Sequence, residues 1–263
     1  MVVLQVIGGG RMGEALVGGL LEAGGRRLDD LRIVEPDEGR RAVLAEVFPG
    51  VEVTSAPGAA EGTVVAVKPG DVAAACRDAS PSGPGRVLSI AAGVTIATLE
   101  AALPAGTPVV RAMPNTPALV GFGASAIAPG TRATDDDLAW ADELLGAVGT
   151  VVRVKEPLMD AVTGLSGSGP GYVFLVAEAL IDAGVLSGLP RDVSQGLAIQ
   201  TLLGAATLLA KGDDGPEALR AAVTSPGGTT AEGLRVLEQH GVRAAFLEAV
   251  AAATTRSKEL GGG

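Results

Sequence analysis

Three glycines spaced Gly8-x-Gly10-x-x-Gly13 follow a short run of branched apolar residues, Val2 to Ile7. That spacing suits phosphate chemistry. Gly8 allows a tight turn, Gly10 lets the backbone approach a pyrophosphate, and Gly13 lets the next helix pack on the strand. Arg11 and Met12 lie within this loop. The helix start adds free N–H groups and a positive dipole end. Glu35 closes the following apolar run, at the place where a carboxylate meets the adenosine ribose of a dinucleotide. A carboxylate there favours a free 2′-hydroxyl and repels a 2′-phosphate. Arg40 and Arg41, a turn further on, read as a solvated helix face, or as cations able to reach a phosphate.

A second anion site is written into AVTSPGGTTAEGL, residues 222–234. Ser225-Pro226-Gly227-Gly228 is a turn sequence, and Thr229 with Glu232 fits the T-x-x-E capping box that opens a helix. N–H groups around Gly227, Gly228 and Thr229 can grip a carboxylate with help from the helix dipole. The Ser225 hydroxyl can add a hydrogen bond. With Thr229 as the cap, its side chain is engaged, and Thr230 is the hydroxyl left to face a ligand. Two further candidates are Lys68 in AVKP and Asn115 in MPNTP. Each follows a predicted strand, where ligands of doubly wound sheets bind.

These residues need a scaffold, and the chain supplies one. Short apolar runs at 31–35, 63–68, 86–92 and 108–113 are separated by helix-like segments. Strands alternating with helices imply βαβ units and a parallel sheet. GASAIAP (123–129) and TVVRV (150–154) add two strands around a helix near 134–147. After Lys155 no strand pattern remains. The stretch LMDAVTGLSGSGPGYVFLVAEALIDAGVL (158–186) reads as a helix, a glycine-rich interruption and another helix, and further helices are expected at 190–212, 229–239 and 243–259. The domains predicted are a dinucleotide-binding domain over 1–155 and an all-α domain over 156–263. The stretch 196–210 is apolar on nearly every side, which calls for burial, against a second subunit or at the centre of a monomeric bundle.

Composition excludes several classes. The 263 residues carry 20 Lys and Arg against 30 Asp and Glu, a net charge of −10. That is no footprint for nucleic acid. The one cysteine, Cys76, suits a reducing compartment. The apolar stretches are broken by Glu178, Asp182 and Gln200, so no membrane span is expected, and the expected location is the cytoplasm. No metal is called for. The one histidine, His240, ends a helix, where a cation sits comfortably and no catalytic role is needed.

Taken together, IGGGRMGEAL, AVKP, AAGVTI, MPNTPA, AVTGLSGSGPGY and VTSPGGTTAEGL resemble the pyrroline-5-carboxylate reductase family, in that order and over nearly the whole chain. The resemblance implies reduction of 1-pyrroline-5-carboxylate to L-proline with NADPH or NADH, the last step of proline biosynthesis. It implies a Rossmann domain, a helical dimerisation domain and often a decamer of five dimers. It places Val67, Lys68, Pro69, Ala91 and Asn115 on the cofactor and the 225–230 stretch on the substrate, with Thr230 contacting the imine nitrogen. It sets Ser166, Gly167 and Ser168 beside the nicotinamide. Two residues depart from the family: Arg11 stands where Asn is commoner, and Glu35 stands where many members present small polar or basic groups. Glu35 leans toward NADH, the family habit toward NADPH. Two rivals are a β-hydroxyacid dehydrogenase and a non-catalytic dinucleotide sensor. The first uses a lysine acid in an apolar helix middle, where Lys155, Lys211 and Lys258 do not fall. The second needs no additional anion site.

Overall fold

A computed structural model describes residues 2–24 and 26–261. The first part alternates strands and helices: β1 (Val2–Ile7), α1 (Arg11–Glu22), β2 (Leu31–Val34), α2 (Glu38–Val47), β3 (Glu52–Thr54), β4 (Ala60–Val65), α3 (Val72–Ala79), β5 (Arg86–Ser89), α4 (Ile96–Ala102) and β6 (Val109–Met113). β7 (Gly123–Pro129), α5 (Asp135–Gly146) and β8 (Gly149–Arg153) follow. Among the described residues only helices come after: α6 (Met159–Val162), α7 (Gly169–Leu186), α8 (Arg191–Lys211), α9 (Pro216–Ala222), α10 (Thr229–Gln239) and α11 (Val242–Gly261).

The strands form one eight-stranded sheet in the order β3-β2-β1-β4-β5-β6-β7-β8. Every neighbouring pair is parallel except β6 and β7. The fold is a Rossmann-like doubly wound sheet, as the alternation implies. Helices on both faces explain why the central strands read as unbroken apolar runs. Leu4, Val6 and Val64 are fully buried, and α1 lays Leu16, Val17 and Leu20 on the same core. The register aligns the carboxyl ends: Ile7 pairs with Val34 and Val65, Val65 with Ser89, and Ser89 with Arg111. The loops leaving these strands therefore share one edge. The order reverses between β1 and β4, which opens the crevice where such sheets bind ligands.

The chain separates into two compact units, residues 1–168 with 251–263, and residues 169–250. The first unit takes in 156–168 and the end of α11, which the division at 155 gives to the helical part. In the second unit α7 packs on α8. Phe174, Leu175, Leu186, Leu197, Leu203 and Leu208 are each more than half exposed in the single chain. Fully burying one such side chain gains about 1.5–3 kcal/mol, so these helices are built to be covered.

Three details add to or differ from expectation. The glycine-rich interruption between α6 and α7 takes the form of a π-helical turn, Thr163–Gly167, closed by the Ser168 N–H on the Thr163 carbonyl at 2.8 Å, with a bend at Ser168 before α7. Two additional elements, β3 and α9, are present. By length and composition alone, residues 156–186 and 191–211 are apolar enough to cross a membrane, because three polar residues leave the mean hydropathy high.

Candidate active site

The glycine loop leaves β1 and turns straight into α1. Gly8 has φ +105, a backbone that favours glycine, and a β-carbon there would stand 2.6 Å from the Ala66 carbonyl oxygen across the crevice. A β-carbon on Gly13 would stand 2.1 Å from the Gly8 carbonyl oxygen. Gly10, by contrast, has nothing within 4 Å of the same position. It is the N-cap of α1, and its carbonyl accepts the Glu14 N–H at 2.9 Å. The N–H groups of Arg11, Met12 and Gly13 form the first turn, which has no intrahelical partners. The loop is thus tight where it touches protein and open where a phosphate would lie. These residues fit a dinucleotide pyrophosphate.

Glu35 follows β2 and reaches back to the same loop. Its carboxylate accepts the Gly9 N–H at 3.0 Å and the Asp37 N–H at 3.0 Å. Asp37 in turn caps α2 by accepting the Arg40 N–H at 2.7 Å. The two arginines are not the solvated face expected of them. Arg40 donates to the Gly9 carbonyl at 2.7 Å and pairs with Glu14. Arg41 donates to the carbonyls of Glu35 at 3.0 Å and Pro36 at 2.6 Å. The reason is geometric: α2 starts close enough to the glycine loop for the side chains of its first turn to bridge back.

The other first-unit candidates lie on the same edge. Val67 packs beside Gly8, and Lys68 is exposed at the start of the 3-10 turn Pro69–Asp71. Ala91 is buried just past β5, its N–H 3.4 Å from the Ser89 hydroxyl. Arg11 is exposed at the head of α1. Asn115 is committed differently from expectation. Its amide donates to the Ser166 carbonyl at 3.0 Å and accepts the Ala124 N–H at 2.8 Å. It ties the π-helical turn to β7, which brings Ser166, Gly167 and Ser168 to the strand ends.

A cleft of about 550 Å³ opens there, lined by Pro69, Gly93, Thr98, Ser168, Arg256 and Leu260 among others. The end of α11 forms one wall, held by the Ser257 hydroxyl on the Asp160 carboxylate at 2.7 Å. Sequence offered no signal for that contact, since the partners are 97 residues apart. Arg111, 6% exposed, is paired with Glu156 at 3.0 Å, and Glu156 also accepts the Ile96 N–H at 2.7 Å. A buried cation with such a partner is compensated. A larger depression of about 920 Å³ runs along the outer side of α1, away from the strand ends, and touches the loop only at Gly10 and Arg11.

The second unit carries the SPGG turn, and here the cap assignment is corrected. The N-cap of α10 is Gly228, with extended backbone at φ −80 and ψ 171 and no side-chain cap bond. Thr229 is the first helical residue and Thr230 the second. Glu232 does not close a capping box; its carboxylate pairs with Arg235, and that pairing lowers its pKa. The turn itself is closed by the Gly228 N–H on the Ser225 carbonyl at 3.0 Å, with Gly227 at φ +67. The Gly228 N–H is therefore not available to an anion. The open N–H groups shift one step along, to Thr229, Thr230 and Ala231 in the first helical turn. A β-carbon on Gly228 would lie 2.3 Å from Ser225 Oγ, so the serine hydroxyl lies directly over the helix start. His240 is the exposed C-cap residue of α10, as its position in the sequence implies.

Comparison with known proteins gives one consistent result. Residues 156–260 match the family model for pyrroline-5-carboxylate reductase dimerisation, and residues 3–93 match that for NADP oxidoreductase, coenzyme F420-dependent. The chain is 46% identical to a pyrroline-5-carboxylate reductase of Mycobacterium tuberculosis, covering 99% of this chain and 97% of that one. It is 38% identical to the Escherichia coli enzyme of the same name, over 97% and 96%. Among solved structures, a pyrroline-5-carboxylate reductase from Coxiella burnetii superposes with a TM-score of 0.92 at 35% identity, covering 98% and 97%. A Plasmodium falciparum pyrroline carboxylate reductase with NADP bound gives 0.86 at 31% identity, covering 99% and 98%.

Proposed function

The chain belongs to the pyrroline-5-carboxylate reductase family, and we infer that it reduces 1-pyrroline-5-carboxylate to L-proline, the last step of proline biosynthesis. The observation that carries this reading is the 46% identity along essentially the full length of both chains. The enzyme is an oxidoreductase of the NAD(P)H-dependent kind. A reduced nicotinamide dinucleotide bound at the glycine loop supplies the hydride.

The residues of the chain then do the positioning. Gly8, Gly10, Arg11, Met12 and Gly13 hold the pyrophosphate, Glu35 faces the ribose, and Val67, Lys68, Pro69 and Ala91 line the nicotinamide end. Asn115 acts through Ser166, whose turn it fixes. The substrate carboxylate is held by the first-turn N–H groups of α10 with the helix dipole behind them, and Ser225 adds its hydroxyl. Gly227 and Gly228 shape the turn. Thr229 offers its N–H. The Thr230 hydroxyl accepts a hydrogen bond from the protonated imine nitrogen. Protonation makes the imine carbon electrophilic, so hydride addition needs no strong acid from the chain, and His240 stays outside the chemistry.

The dimerisation match supports self-association, and we assign its surface to the exposed apolar faces of α7 and α8. That assignment reads the two apolar helical stretches as subunit surface rather than membrane spans. The family resemblance supports assembly as a dimer, with a decamer of five dimers as the larger form proposed. We assign 1–155 to dinucleotide binding and 156–263 to substrate binding and dimerisation. A cytoplasmic location suits a biosynthetic enzyme with a single cysteine.

The test is steady-state oxidation of NADH and of NADPH by the purified protein with 1-pyrroline-5-carboxylate. Saturable, substrate-dependent oxidation with L-proline as product is expected. No turnover with either cofactor, by protein that folds and self-associates, overturns the reading.

A further inference from the structure

The first turn of α2 holds two arginines beside the glycine loop, and both are already engaged. Arg41 donates to the backbone carbonyls of Glu35 and Pro36. Arg40 donates through Nε to the Gly9 carbonyl at 2.7 Å and closes an ion pair with Glu14 on α1. The N–H of the same Gly9 is held by Glu35 at 3.0 Å. Gly9 is thus clamped from both sides by charged groups, a carboxylate on its N–H and a guanidinium on its carbonyl. The Arg40 and Glu14 side chains are 30% and 35% exposed, so solvent screens the pair only partly.

We propose that Glu14 is a cofactor-specificity residue: it locks Arg40 onto the glycine loop beside Glu35, and so withholds that cation from a 2′-phosphate. The inference rests on the reading of this loop as the dinucleotide cradle and goes beyond it. Glu35 contributes by repulsion, since a carboxylate there disfavours the 2′-phosphate. Glu14 contributes by sequestration. Guanidinium groups bind phosphate through paired, charge-assisted hydrogen bonds, but only with free N–H donors turned toward it. Arg40 has one donor on a carbonyl and another on a carboxylate. The chain therefore takes NADH in preference to NADPH, and its preference is set by two carboxylates that do not lie on the same element.

The test is equilibrium binding of NADH and of NADPH, by calorimetry or quenching of protein fluorescence, to wild type, Glu14→Gln, Arg40→Ala and the double variant. Wild type is expected to bind NADH more tightly. Glu14→Gln should tighten NADPH by about tenfold, the scale of one hydrogen bond to a charged group. NADH should move by less than about twofold, as for an ordinary surface substitution. Arg40→Ala alone should leave the ratio of the two Kd values unchanged, because Arg40 holds no phosphate in wild type. The double variant should lose the gain. An unchanged ratio in Glu14→Gln overturns the proposal. So does a gain that persists in the double variant, since it would come from the lost negative charge and not from a released Arg40. Tighter binding of NADPH than NADH by wild type also overturns it. A wild type that binds neither cofactor sinks the dinucleotide reading instead.

Discussion

The Ser225 hydroxyl sits over Gly228: a β-carbon at 228 would come within 2.3 Å of Ser225 Oγ and 3.1 Å of the Ser225 carbonyl oxygen. The Gly228 backbone, at φ −80, suits alanine, so the conflict is with the serine and not with the helix. Gly228→Ala forces the hydroxyl to swing away. The expected result is a KM for the imine substrate raised by about three- to tenfold, the scale of one neutral hydrogen bond, with a nearly unchanged Tm. Ser225→Ala should raise KM similarly, and the double variant should be no worse than either single. Steady-state kinetics on the three variants checks this, and an unchanged KM in Ser225→Ala removes the serine from the substrate site.

The neighbours Thr229 and Thr230 should behave differently, although neither caps α10. Thr229 is exposed at the first helical position, so Thr229→Ala should change stability by less than about 0.5 kcal/mol. Thr230→Val keeps the branched shape and deletes only the oxygen. It should lower kcat/KM by about tenfold or more, as expected for a hydrogen bond to a charged nitrogen. Melting curves and kinetics on the two variants separate the roles. If Thr229→Val is the inactive one, the contact belongs to Thr229.

Asn115 should act on the site through structure. Asn115→Ala leaves the Ala124 N–H and the Ser166 carbonyl without their side-chain partner, a loss on the order of 1–3 kcal/mol where such groups are buried. Asn115→Asp keeps the acceptor for Ala124 and loses the donor to Ser166, so it should fall between. Denaturant unfolding measures both. A raised cofactor KM with unchanged stability would make Asn115 a direct ligand instead.

Cys76 is buried in α3, and burial pushes its thiol up to about 11. An acid held neutral in the folded state supports stability below its unfolded pKa. That support is lost as pH rises toward the folded value. Wild-type Tm should therefore fall more steeply between pH 9 and 11 than that of Cys76→Ala. The thiol should also resist alkylation at neutral pH until the protein unfolds. Rapid labelling of native protein at pH 7 contradicts this.

Much of the architecture was legible because the pattern and its punctuation agreed. GASAIAP became a strand with those bounds, set off by Gly123 and Pro129. The proximity of the glycine loop and Glu35 was readable because the motif's spacing lies within a few dozen residues. β3 was not, because it is a three-residue edge strand with Glu52 exposed and no apolar run. The short helix α9 carries no periodic apolar face long enough to register. The T-x-x-E signal misled at Thr229, since Gly228 already supplies the extended backbone and Arg235 takes the Glu232 carboxylate. The Arg40 bridge to Gly9 and the Ser257 contact with Asp160 depend on how helices approach loops, which local sequence does not encode.

The most direct test of the central claim follows the hydride itself. The protein is given 1-pyrroline-5-carboxylate and NADH or NADPH carrying deuterium at the transferable position, and the proline formed is analysed by NMR. The account predicts L-proline with one deuterium on the former imine carbon and none on the carbon bearing the carboxylate. Unlabelled proline, deuterium at the carboxylate-bearing carbon, or no proline from folded protein contradicts it.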